Sequence, residues 1–172
     1  MQKGRIKKLL RCITTLIAFI FIVSIAPACS KTPSETPEVE KSEGAVVDTD
    51  KVKTLVESFG NQLEKVSLQS PKDILERDMK KYYGPFLHEE LITEWLEDPS
   101  KAIGRLTSSP WPDHIEIANI NKINDDKYEV IGDVIEITSI EAVEGGYADK
   151  YGVSLIVERV DGEWLITEAT KS

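Results

Sequence analysis

The sequence predicts an α+β domain, with N-terminal helices packed on one face of a four-stranded antiparallel meander. Three observations carry this. Val52, Leu55, Val56, Phe59, Leu63 and Val66 recur at intervals of three and four, the stripe of an amphipathic helix. The segment Ser108-Ser109-Pro110-Trp111-Pro112-Asp113 breaks the helical pattern, and β-branched residues dominate after it. Asp161-Gly162 between two apolar alternations is a two-residue hairpin turn. Helices first and strands afterwards make an α+β arrangement rather than an alternating one.

Taken in order, the chain opens with Lys3, Arg5, Lys7, Lys8 and Arg11, a basic stretch without an acid. An apolar run follows from Cys12 to Ala26, and Pro27-Ala28 precede Cys29. The run has the length of a signal-peptide core and falls short of the ~20 apolar residues of a spanning helix. It resembles a bacterial lipoprotein signal, with Ala26 standing where Leu is usual. The resemblance implies that residues 1–28 are a signal peptide and that Cys29 becomes the lipidated first residue, carrying acyl chains such as palmitate. An uncleaved membrane anchor is the other reading. Either one places the rest of the chain on the extracytoplasmic face of the cell membrane.

Residues 29–47 read as a tether. The part from 31 to 44 is rich in Pro, Ser, Thr and Glu and nearly free of apolar residues, so it buries too little to offset its ordering entropy. The domain is expected over residues 48–172. Asp48 or Thr49 caps the first helix, and Gly60 weakens its middle. Ser70-Pro71-Lys72-Asp73 opens a second helix, with Ser as cap, Pro in the first helical position and Asp73 as a near capping box. Leu75, Met79, Tyr82 and Tyr83 are its buried side, and Gly84-Pro85 ends it. A third helix runs from about Glu89 to Glu97, with Leu91, Ile92, Trp95 and Leu96 together and Pro99 as its stop. Ala102, Ile103 and Leu106 suggest one more turn. Strands are expected from His114 to Ile123, from Tyr128 to Ile140 with a bulge or bend at Gly132, through Tyr151, Val153, Leu155 and Val157, and from Trp164 to near Ala169. Residues 141–146 read as a loop.

This order of elements, ending in Val-Asp-Gly-Glu-Trp-Leu-Ile, resembles the NTF2-like (cystatin-like) superfamily over residues 48–171. The resemblance implies a curved sheet wrapped around the first helix as a cone. Its members include isomerases, dehydratases, transport adaptors and binding domains, so the fold selects no function.

Composition removes several classes. Five of the 21 basic residues precede Cys29, leaving 16 basic against 30 acidic, a net of −14. That surface repels nucleic acid and anionic lipid. With Cys12 in the signal and Cys29 lipidated, the domain holds no thiol for catalysis, metal or disulfide. No phosphate-binding loop, dinucleotide turn, nucleophile elbow or metal-ligand spacing is present, and no metal or cofactor is expected.

The weak catalytic candidates are Asp133 and His114. Asp133 lies in the apolar stretch Val130-Ile131-Gly132-Asp133-Val134-Ile135, where an inward carboxylate would be desolvated; a bulge at Gly132 would turn it outward. His114 follows Asp113 and would need to share a cavity with a partner. His88 reads as a cap-region residue. Glu136 and Glu168 read as solvent-face residues. Trp111, Tyr147 and Tyr151 are weak candidates for lining a ligand site, with Trp95 beside them, although aromatics at such positions usually pack. Apolar walls from Val130, Val134, Tyr151 and Val153 place the expected site between the concave face and the helices. The first helix offers it only Val, Leu and Phe. The expected function is therefore a non-enzymatic binding or interaction module, taking an envelope protein or a small apolar ligand. An isomerase- or dehydratase-type enzyme is the alternative, and dimerisation through the sheet face is a third reading.

Overall fold

The computed structural model describes residues 39–172, with side chains from Val47 onward. The expected signal peptide, the lipidation of Cys29 and the first part of the tether lie outside the described residues. Helix α1 (Val39–Gly60) starts well upstream of the expected cap at Asp48, so residues 39–47 are helical rather than tether. No proline follows Pro37 there, and Glu, Lys and Ala between Val39 and Asp48 favour a helix, with Gly44 alone against it.

Gly60 closes α1 instead of weakening its middle. A Cβ there would lie 2.7 Å from the backbone nitrogen of Ile115, so the first strand passes too close for a side chain. The apolar stripe then continues through a single 3-10 turn at Leu63–Lys65 into extended backbone at Val66.

Helix α2 (Lys72–Tyr82) has Pro71, not Ser70, as its half-in residue, because Pro71 is extended at φ −50° and ψ 147°. No side-chain cap forms, and Asp73 is left as an acidic residue in the first turn. Helix α3 (Glu89–Glu97) matches the expected span, and His88 caps it by accepting a hydrogen bond from the Glu90 N–H on Nδ1 at 3.4 Å. The expected extra turn is a pair of backbone turns after Asp98. Ala102 and Ile103 are buried there, and Leu106 is exposed.

Strands β1 (Trp111–Asn124), β2 (Lys127–Ile137), β3 (Asp149–Val160) and β4 (Glu163–Lys171) pair antiparallel in the order β1-β2-β3-β4. β1 begins inside the expected breaker. It is an edge strand, where a proline such as Pro112 removes no ladder bond that a neighbour needs. A four-residue helix, α4 (Glu141–Glu144), occupies the expected loop. Asp161 and Gly162 both take positive φ, 51° and 90°, as a tight hairpin turn with right-handed strands requires.

The bulge opposite Gly132 is real, but its extra residue is Ala118 on β1. Ile117 pairs with Gly132 and Asn119 with Ile131, while the β2–β3 register runs unbroken. A Cβ on Gly132 would lie 2.5 Å from the Glu116 carbonyl oxygen.

One core joins α1, α2 and α3 to the inner sheet face. Val52, Val56, Phe59, Leu63 and Val66 from the α1 side meet Leu155, Val157 and Ile166, all without solvent exposure. Tyr83 stands edge-on between Phe59 and Trp95, at centroid distances of 5.2 and 6.2 Å. The α2–α3 turn grips the free edge of β4, with the His88 N–H donating to the Ile166 carbonyl and the Ile166 N–H to the Phe86 carbonyl, both at 2.9 Å. Residues 37–172 form one compact unit, and the buried core of the described residues lies between Val52 and Ile166.

Candidate functional site

The space between the inner sheet face and α1, where the sequence placed a ligand, is filled by core side chains. Val130, Val134 and Val153, expected as cavity walls, are at most 2% exposed. Asp133 and His114 do not reach it. Strand alternation puts Val134 and Ile115 on the inner face, so Asp133 and His114 point outward. Asp133 pairs with Lys150 Nζ at 2.7 Å, and His114 Nδ1 lies 2.7 Å from the Asp113 carboxylate, both at the surface.

The aromatic candidates are dispersed. Tyr147 is exposed and shares a shallow hollow with His114, Ile135 and Gly146. Trp111 pairs with Ile137 at the start of β1. Tyr151 lies on the inner face opposite Val134, at the end of the sheet, and Trp95 is core.

Beside Tyr151 stands Glu136, a correction to its expected solvent-face position. Glu136 pairs with Asp149 in the step after the Val134–Tyr151 pair on the same face, and it is half-buried. Burial raises its carboxyl above the ordinary range, and the Asp149 charge adds to the rise. The Tyr151 hydroxyl is also pushed up, chiefly by burial and then by the Glu136 charge. Glu168 does lie on the outer side, with Lys127 Nζ 3.9 Å from its carboxylate. A small hollow of about 240 Å³ next to Tyr151 is bounded by Ala102, Gly104, Leu106, Lys171 and Ser172. The Lys171 ammonium is already committed there, donating to the carbonyls of Ser100 and Ala102 at 2.7 and 3.1 Å.

A larger concavity lies outside the core. It is an open groove of about 590 Å³ between the outer flank of α1 and the α2–α3 turn, and its lining is mostly apolar. Val47, Lys51, Thr54, Leu55 and Ser58 of α1 are spaced by three, four or one, so they form a second stripe beside the core stripe. Pro85 and Phe86 form the opposite wall, and Trp164 of β4 closes the groove. Trp164 is 9% exposed and held from two directions: Tyr128 packs edge-on at 5.3 Å, and the Arg159 guanidinium lies 4.5 Å from its ring centroid. Arg159 is in turn fixed by Asp48 at 2.8 Å and Asp126 at 3.0 Å.

The polar lining of the groove is Asp50, Lys51, Thr54 and Ser58. The Thr54 hydroxyl donates to the Asp50 carbonyl at 2.9 Å, and no histidine lines the groove. Among the described residues, no three His, Asp or Glu side chains gather as metal ligands, and no helix is long and apolar enough to cross a membrane. The sequence signal for the groove was present in Val47, Leu55 and Phe86, but Val47 reads as the end of the tether and Leu55 as part of the core stripe.

No family model and no curated protein matches the sequence. Among solved structures, the chain is similar to an NTF2-like protein of unknown function from Shewanella oneidensis MR-1, at 14% identity and a TM-score of 0.42 over 73% of this chain and 98% of that one. It is similar to an Ntf2-like protein involved in plasmid conjugation at 17% identity and a TM-score of 0.42, over 88% of this chain and 48% of that one. A protein of unknown function from Bacteroides thetaiotaomicron VPI-5482 gives 16% identity and a TM-score of 0.41, over 77% and 98% of the two chains.

Proposed function

We propose that this chain is a lipoprotein of the cell envelope, anchored through Cys29 on the extracytoplasmic face of the membrane, whose domain binds rather than catalyses. The anchoring rests on the basic stretch, the apolar run and the small residues before Cys29. The binding reading rests on one observation above others. Among the described residues, the inner stripe of α1 and of the turn after it presents only Val52, Val56, Phe59, Leu63 and Val66, all fully buried, so the cone encloses packed side chains where an enzyme would need converging polar groups. One accessible concavity is the external groove, whose size and apolar walls suit recognition.

Glu136 beside Tyr151 favours the enzyme as a second reading, since a raised carboxyl next to a buried hydroxyl is a general acid–base arrangement. Both readings meet one experiment. The fragment of residues 37–172 is screened against isomerase and dehydratase substrates, alongside Glu136→Gln, Asp133→Asn and His114→Ala. The binding reading expects no turnover that any substitution removes. A specific turnover that Glu136→Gln lowers about a hundredfold, the scale of acid–base catalysis, makes the enzyme the answer.

A further inference from the structure

We infer that Glu136 and Asp149 form an acid-sensitive latch at the end of the β2–β3 ladder, which holds residues 138–148 in place when the pair carries a proton and loosens them when both carboxyls are ionised. This goes beyond the binding reading proposed above and does not rest on it. Three observations carry it.

The first is position. Glu136 and Asp149 are the last partners in the β2–β3 register, so their side chains leave the same face of the sheet directly opposite one another. Like charges in that arrangement are destabilising. Glu136 is half-buried, so water screens the repulsion less than it would at the surface. The Ala148 N–H donates to the Glu136 carbonyl at 2.8 Å, so the loop departs from the sheet at this pair.

The second is the commitment of the neighbouring charges to other partners. Lys150 of β3 turns to the opposite face, where Asp133 holds it at 2.7 Å. Lys171 of β4 donates to the carbonyls of Ser100 and Ala102. On β1, Pro112 is the partner of Glu136, and Asp113 and His114 pair with each other at the surface. Arg105, in the segment before β1, pairs through its backbone with Ser67. In α4, Glu144 is exposed, and the Glu141 carboxylate accepts from the Thr138 N–H at 2.9 Å and from its hydroxyl. Tyr151, whose hydroxyl is pushed up by burial, stays neutral. Burial raises the Glu136 carboxyl, and the Asp149 charge adds to the rise.

The third is the light attachment of the loop. Helix α4 buries none of its residues, and Ile140, Val143 and Tyr147 are 62%, 86% and 58% exposed. Little apolar burial opposes opening, so this segment opens at a lower cost than the core. Opening hydrates Glu136 and parts it from Asp149, so the open form holds the proton less tightly. Acid therefore favours the latched form, and the latch weakens as pH rises from about 4.3 through the higher value of the latched carboxyl.

The test is residue-resolved hydrogen exchange on the full chain in neutral detergent, from pH 4.5 to 7.5, corrected for intrinsic exchange. The reporters are the hydrogen-bonded amides of Ala142, Val143, Glu144, Gly145 and Ala148. At pH 7.5 they should be less protected than the amides of Leu155 and Val157, and their protection should be about fivefold lower than at pH 4.5, the scale of a like-charged cross-strand pair. Glu136→Gln should abolish the pH dependence. Asp149→Asn, at an exposed position, should reduce it, and His114→Ala should leave it as in the parent. Circular dichroism verifies that each variant is folded. Reporter amides as protected as Leu155 and Val157, or protection that does not change with pH, overturn the latch. So does a pH dependence that survives Glu136→Gln, that is unchanged in Asp149→Asn, or that disappears in His114→Ala.

Discussion

Glu136 occupies an unfavourable place for a carboxylate. It shares the inner sheet face with Val134 and Tyr151, and burial raises its pKa above that of a free side chain. The sign of its effect on stability follows. The folded state holds the proton more tightly than the unfolded chain, so stability is greatest below the unfolded value, about 4.3, and falls as pH rises through the higher folded value. Glu136→Gln is therefore expected to raise the melting temperature at pH 7 and to leave it unchanged at pH 3, as read by circular dichroism at the two pH values. A lower melting temperature at pH 7 would mean that the charged carboxylate is stabilised by its surroundings. Asp48 has the opposite sign. Burial pushes its carboxyl up, but the hydrogen bonds and charges of Lys51 and Arg159 outweigh this and hold it below the ordinary range. Its contribution is present above about pH 4 and is lost as pH falls through the lower folded value. Trp164, buried between Tyr128 and Arg159, is the third residue with a defined cost. Trp164→Ala should destabilise the domain by about 3–5 kcal/mol in urea unfolding, and a loss below about 1 kcal/mol would place the ring outside the core.

At the scale of elements, Gly132 shows what the sequence made legible and what it did not. An apolar run on both parities of β2 with a glycine inside it signalled an irregularity at that position. It did not tell which strand holds the extra residue, because that depends on the partner's backbone: the Glu116 carbonyl comes so close that a Cβ has no room, and Ala118 is the residue left over. Gly132→Ala should cost about 1–3 kcal/mol as the two backbones are forced apart, with chemical denaturation as the measurement. The same two-parity pattern hid the face of Glu136. Ile135 and Ile137 are buried although they lie on the outer parity, beside a loop whose Gly146 and Tyr147 share a hollow with Ile135. Their apolarity made the neighbouring acid look outward. Helix α3, by contrast, was legible at both ends, because His88 caps it locally and Pro99 stops it locally. The start of β1 was not, because Pro112 is harmless only on an edge strand, and edge position is a property of the sheet rather than of the residue. The groove needed tertiary knowledge as well, since Phe86 and Trp164 meet α1 only after the α2–α3 turn has bonded to β4.

At the scale of the whole molecule, folding is expected to be separable from the proposed anchoring. Among the described residues, every buried core residue lies between Val52 and Ile166, and the hydrogen bonds that close the sheet edge and the α2–α3 turn lie within the same span. The residues proposed to reach the membrane precede this span. The fragment of residues 37–172 should therefore unfold in one cooperative transition, with coincident curves from tryptophan fluorescence and far-ultraviolet circular dichroism. In the full chain, Cys29→Ala should abolish incorporation of radiolabelled palmitate and release the protein from lipoprotein processing, while a domain-specific probe such as protease resistance of residues 52–166 stays as in the parent. Label that persists in Cys29→Ala would remove the lipid-anchor proposal. Loss of label together with loss of protease resistance would show instead that the domain needs its anchor to fold, against the expectation from a buried core that, among the described residues, runs from Val52 to Ile166.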